Sequence, residues 1–159
     1  AEGSSAIVRR DPSLPQSNEL LPSAHAERVG ERILAWMDEN FQNLAPRLPP
    51  PGRPLTARVL FDGIKQISNI FEINEFALTS SVEPLGDSGI RWTLVAPATL
   101  WSGQVLRLRG DLPNDFEVMA ATAYLRRAGV PARAETRYEN GGTTVVHEFT
   151  WPAGFVQPA

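Results

Sequence analysis

The side chains able to do chemistry are few. The chain holds two histidines, His25 and His147, and no cysteine. Thiolate catalysis, disulfides and cysteine-ligated zinc are therefore excluded. A Ser-His-Asp relay would have to take one of the two histidines as its base. His25 falls in the first turn of an amphipathic helix and reads as an exposed bystander. His147 shares a strand face with Val145, Phe149 and Trp151. It reads as a core-edge histidine hydrogen-bonded across a hairpin, with Tyr138 as the expected partner. As a general base it lacks a second residue to support it, so no catalytic residue is assigned.

The other constellations give structure rather than chemistry. The histidines stand too far apart for HxxxH or HExxH spacing, and the acids do not follow the order of a calcium loop, so no metal site is expected. Gly86, Gly89, Gly103 and Gly110 lie at strand ends, without the strand-glycine-helix context of a phosphate cradle, and no cofactor is expected. Asp111 and Asp115 flank a helix start, where unsatisfied N–H groups stabilise carboxylates, so capping outweighs an acid-base pair. Arg133, Glu135 and Arg137 alternate in sign and read as a solvated strand face or the polar rim of an interface. Of the four tryptophans, Trp36 and Trp92 fall on a helix stripe and a strand face and are expected in the core, while Trp151 closes the last strand. Leu100 and Trp101 sit together on a loop, which makes them the candidate protein-binding residues.

The elements that must position these residues follow from periodicity. Residues 1–22 carry three prolines and no sustained period, the composition of a tether. Residues 23–159 form one domain. Its first helix, about 24–44, is predicted from Val29, Ile33, Trp36/Met37, Phe41 and Leu44 and is ended by Pro46. A stiff Pro-rich spacer follows over 46–54. The second helix starts near Thr56 with the stripe Leu60, Ile64, Ile67, Phe71. From Phe76 the period becomes two, giving strands through Val82 and over Ile90, Trp92 and Leu94, joined by the turn at Pro84–Gly89. A half-solvated strand is predicted over Gln104–Arg109. Asn114 to Glu117 has the form of a capping box and opens a third helix that ends at Gly129. The last hairpin pairs Ala132–Tyr138 with Thr143–Trp151 around Asn140-Gly141. The fold class is therefore α+β. The order αββ(β)-αββ, plus the extra N-terminal helix, can close as a ferredoxin-like two-layer sandwich, an antiparallel sheet with helices on one face.

Over roughly residues 55 to 151 this order resembles the periplasmic domains of bacterial type II secretion and type IV pilus inner-membrane platform subunits. The resemblance is carried by LTARVLFDGIKQISNIFEI leading into a strand, and above all by DFEVMAATAYLRRAGVPARAETRYENGGTTVVHEFTW, which looks like their closing helix, "aGv" break and final hairpin. The first helix and the strand at Gln104–Arg109 depart from the plain repeat. The resemblance implies a non-catalytic scaffold at the periplasmic face of the inner membrane, whereas the lack of cysteine by itself leaves a cytoplasmic location open. The scaffold would self-associate or pair with sister subunits, below a single membrane helix upstream of Ala1. A small chaperone-like domain holding an extended client suits the same order of elements. An enzyme with His147 as base is the third alternative. The net charge of −3 and the scattered arginines give no electrostatic footprint for nucleic acid.

Overall fold

The computed structural model describes residues 23–49, 51–97 and 116–158. The tether at 1–22, the strand expected over Gln104–Arg109 and the pair Leu100 and Trp101 lie outside the described residues, as do Asp111, Asn114 and Asp115. Among the described residues are the helices α1 (Ser23–Asn40), α2 (Ala57–Ile73) and α3 (Phe116–Arg127). The strands are β1 (Thr79–Pro84), β2 (Gly89–Val95), β3 (Arg133–Glu139) and β4 (Thr144–Thr150). Every pairing is antiparallel and the sheet order is β1-β2-β4-β3. The α+β class expected from the sequence is thus present. Each hairpin supplies one central strand, β2 or β4, and one outer strand, β1 or β3. That order is compatible with the ferredoxin-like closure.

One rung of the sheet shows where the helices lie. Val82, Trp92, His147 and Thr136 are register partners across all four strands and so share a face. Trp92 packs edge-on against Phe71 of α2 at 5.3 Å, and His147 meets Glu117 of α3, so both helices cover that face. The predicted α2 stripe is the core itself. Leu60, Ile64, Ile67 and Phe71 are all buried, beside Trp92, Leu94, Ile90 and Phe149. Each such side chain contributes about 1.5–3 kcal/mol on burial. Thr56 caps α2, its hydroxyl accepting from the Val59 N–H at 3.2 Å.

α3 is wedged between its two neighbours by small residues. A Cβ at Gly30 of α1 would meet the Met119 carbonyl oxygen of α3 at 2.4 Å and the Ala123 Cβ at 2.9 Å. A Cβ at Gly63 of α2 would meet the Tyr124 ring at 2.1 Å. The Tyr124 hydroxyl lies 3.1 Å from the Arg47 carbonyl and 3.2 Å from that of Val59, tying α3 to the spacer and to α2. Burial, with Asp62 adding to it, raises the phenol's pKa above its ordinary value.

That close approach corrects the expected face of α1. The buried positions are Gly30, Leu34 and Met37, whereas Trp36 and Leu44 are 36% and 39% exposed. The helix turns about its axis to bring Gly30 against α3. It also ends earlier than predicted, at Asn40 rather than Leu44, because the Asn40 side-chain amide donates to the Trp36 carbonyl at 2.9 Å and Phe41–Ala45 continue as turns. The first strand starts at Thr79 rather than Phe76, and Leu78 before it is 72% exposed. In the last hairpin the turn takes four residues, since Glu139 pairs with Thr144, and Asn140, Gly141 and Gly142 all have positive φ. The C-terminal tail returns to α2: the Ala57 N–H donates to the Gln157 carbonyl at 2.8 Å and the Gln157 N–H to that of Leu55 at 3.2 Å.

Candidate functional site

The polar groups of the interior gather on that one rung. His147 and Glu117 are both fully buried, and their contact, Nε2 to Oε2, is 2.9 Å. On its other side His147 Nδ1 lies 2.8 Å from the Thr136 hydroxyl. An imidazole whose Nε2–H points at Glu117 and whose Nδ1 accepts from Thr136 satisfies both contacts. Thr136 sits directly opposite His147 in the hairpin, at a position where the two strands exchange no backbone bonds and side chains come closest. This replaces the expectation that Tyr138 would be the cross-hairpin partner, since Tyr138 stands opposite Val145. Further along the rung, the Trp92 indole N–H donates to the Ser80 hydroxyl at 2.8 Å, and Ser80 meets Ser68 of α2 at 2.5 Å.

Carboxylate, imidazole and hydroxyl in a row is the order of a nucleophile relay. On sequence alone His147 lacks a second residue, and the structure supplies two. Their surroundings hold a fold together instead of opening onto a substrate. The carboxylate and the imidazole have no surface, the rings of Trp92 and Phe149 lie 6.5 and 6.4 Å from that of His147, and both imidazole nitrogens are engaged. With the Glu117 carboxylate of α3 against it, Nε2 has no exposed surface in this arrangement. Glu117 was legible only as a capping residue. The overlooked signal is its spacing to Ala120, Ala121 and Tyr124, which puts it on the buried stripe of α3.

The other singled-out residues do not converge. His25 is exposed on α1, as expected of a bystander. Trp151 is buried, and its indole N–H has no hydrogen-bond partner among the described residues. Among those residues no three His, Asp or Glu side chains are placed to hold a metal ion, and no helix is long and apolar enough to cross a membrane.

The opposite face of the sheet is charged. Arg91 reaches Glu148 at 2.9 Å and Glu83 at 3.5 Å, while Arg137 reaches Glu139 at 2.8 Å and Glu148 at 3.2 Å. The hydrogen bond from Arg91, with Arg137 behind it, holds the Glu148 carboxyl below the usual carboxylate range against the opposing effect of partial burial.

The remaining candidates are the outer strands, and the two differ. β3 carries Arg133, Glu135, Arg137 and Glu139, whereas β1 reads Thr-Ser-Ser-Val-Glu-Pro. The Leu85 N–H donates to the Gly89 carbonyl, so residues in step with Leu85 turn their backbone groups towards β2 and the alternate ones, Ser80, Val82 and Pro84, turn theirs outward. The outward donors of β1 are thus the Ser80 and Val82 N–H groups, because proline has none.

In the comparisons with known proteins, no family model, no curated protein and no solved structure matches this chain.

Proposed function

We propose that this domain is a non-catalytic interaction or scaffold module that works by strand addition, accepting an extended segment of a partner protein along the outer edge of β1. The observation that carries the reading is the contrast between the outer strands. An exposed edge is a template for another chain, and proteins keep unwanted chains away with charge, proline or bulges. β1 offers two outward donors with small hydroxyl side chains around them, next to Leu78 at 72% exposure. The setting we favour is a bacterial secretion or pilus assembly platform at the periplasmic face of the inner membrane. It is supported by the resemblance of the closing helix and hairpin and by a sheet order suited to an αββ unit run twice. A chaperone-like domain would use the same edge for an extended client. An enzyme using His147 as base is the third reading; the row Glu117-His147-Thr136 supplies the order of a relay, and its burial weighs against it.

The test is affinity capture from extracts of the source cell, with captured proteins identified by mass spectrometry. The intact chain, Val82→Pro and a chain lacking residues 1–22 serve as parallel baits. Val82→Pro removes an outward donor while leaving the bonds to β2, and circular dichroism checks that it folds. Membrane platform proteins captured by the intact chain and lost with Val82→Pro are the expected result. A single soluble client lost in the same way would favour the chaperone. Capture that Val82→Pro leaves unchanged would overturn strand addition at β1.

A further inference from the structure

The outward backbone groups of β1 form a self-complementary set. Those of Ser80 and Val82 have no hydrogen-bond partner among the described residues, whereas Leu78 turns its N–H inward to the Val95 carbonyl at 2.8 Å and Pro84 has none to offer. Open donors and acceptors thus stand two residues apart on one edge, with the inward-turned Ser81 midway between them. Ser80 and Val82 face the helices, which places Thr79, Ser81 and Glu83, all exposed, on the open face of the sheet.

We propose that β1 pairs with β1 of a second copy of this chain, antiparallel and centred on Ser81, joining two four-stranded sheets into one. The proposal rests on the strand-addition reading above and names the segment that is added. A two-fold axis perpendicular to the sheet relates the copies and keeps both sets of helices on the same face. With Ser81 on that axis, Ser80 stands opposite the partner's Val82 and Val82 opposite the partner's Ser80. Each pair exchanges two backbone bonds, so every outward group of the two residues is used. Pro84 falls opposite the partner's Leu78, whose own N–H is turned inward, so the missing donor costs no bond. Glu83 meets the partner's Thr79 and keeps its Arg91 neighbour at 3.5 Å. The two Glu83 residues are then about 13 Å apart along the strands, farther than the screening length of ~8 Å at physiological salt. No like charges face each other across the axis.

Neighbouring registers lose this match. Centred on Ser80, the pairing sets Val82 opposite the inward-turned Leu78 and leaves the Val82 groups open. Centred on Val82, it sets Ser80 opposite Pro84, which has no N–H to return to the Ser80 carbonyl. A one-residue slip sets outward groups against inward ones. In the register centred on Ser81, Leu78, at 72% the most exposed large apolar side chain of the described residues, comes level with the partner's Pro84.

The chain has no native cysteine, so single cysteines report the register. Ser81 opposes itself at a position that exchanges no backbone bonds, where side chains come closest. Ser81→Cys chains should therefore close into a disulfide-linked dimer on mild oxidation with copper phenanthroline. Glu83→Cys chains should not, although both positions are exposed on the same face. A mixture of Thr79→Cys and Glu83→Cys chains should give mainly the mixed dimer. Sedimentation velocity of the native chain should show a monomer–dimer equilibrium. Val82→Pro removes one donor from each copy and should weaken the dimer roughly tenfold or more. Thermal melts check that the variants fold, and the cysteine pattern can be read whether or not Val82→Pro does. A chain that stays monomeric at about hundred-micromolar concentration, equal cross-linking at 81 and 83, or a dimer indifferent to Val82→Pro overturns the proposal. Capture of a different protein that persists with a monomeric chain and is lost with Val82→Pro would leave the strand-addition reading standing, so the two can fail separately.

Discussion

Replacing Gly63 with alanine tests the wedge that seats α3 on the sheet. The added Cβ would lie 2.1 Å from both Cζ and Oη of Tyr124, where non-bonded carbons rest at about 3.5–4.0 Å. The ring or the helix must therefore move by more than ~1 Å. Tyr124 is only 2% exposed, so its ring cannot swing out to solvent without displacing its neighbours. Overpacking of this kind costs about 1–3 kcal/mol. Displacing the ring also pulls the hydroxyl from the Arg47 and Val59 carbonyls, and a buried hydroxyl left unpaired costs about 1–3 kcal/mol more. The expected loss is about 3 kcal/mol, read as a shift of the urea midpoint by tryptophan fluorescence. The matching fall in Tm is about 6–12 °C for a domain of this size. Tyr124→Leu removes both the obstacle and the hydroxyl. In that background Gly63→Ala should cost at least about 1 kcal/mol less than in the native chain. A Gly63→Ala variant within about 0.5 kcal/mol of the native chain, or an identical cost in both backgrounds, would refute the wedge.

Two further predictions concern the polar groups. Glu117→Leu and His147→Leu should each lose about 3–5 kcal/mol, because each strands a buried polar partner, while the double variant loses less than their sum by at least about 2 kcal/mol; additive losses in urea denaturation would show that the two side chains do not act together. Glu148 has a folded pKa below its unfolded one, so its contribution to stability is present above the unfolded value and is lost as pH falls through the folded value. Glu148→Gln should therefore show a shallower decline in stability below about pH 4 than the native chain, and parallel pH profiles would count against the Arg91–Glu148–Arg137 network.

The parts legible in the sequence were those where one periodicity acts alone. The α2 stripe, the alternation of Ile90, Trp92 and Leu94, and the final hairpin each followed from spacing, because each face meets one neighbour. The face of α1 did not, since it is set by a backbone contact between Gly30 and Met119 that leaves no mark on hydrophobic periodicity. The Glu117–His147 contact was hidden for a related reason. It joins residues thirty positions apart across two layers, and a glutamate in the first turn of a helix already has a sufficient local explanation. The candidate pair Leu100 and Trp101 lies outside the described residues and stands as a sequence expectation.

The bridge between Thr56 and Gln157 has a consequence for chain connectivity. It brings the start of α2 beside the end of the tail, so residues 55 to 157 trace a nearly closed circuit in which the point of entry is arbitrary. Joining the tail to Leu55 and opening the circuit at the 140–143 turn would yield the order β4-α2-β1-β2-α3-β3, a strand at each end and both helices as crossovers. Such a circular permutant keeps every strand pairing of the sheet. α1 stands outside this circuit in chain order and packs onto it along α3, through Gly30 against Met119 and the Glu31–Arg127 pair.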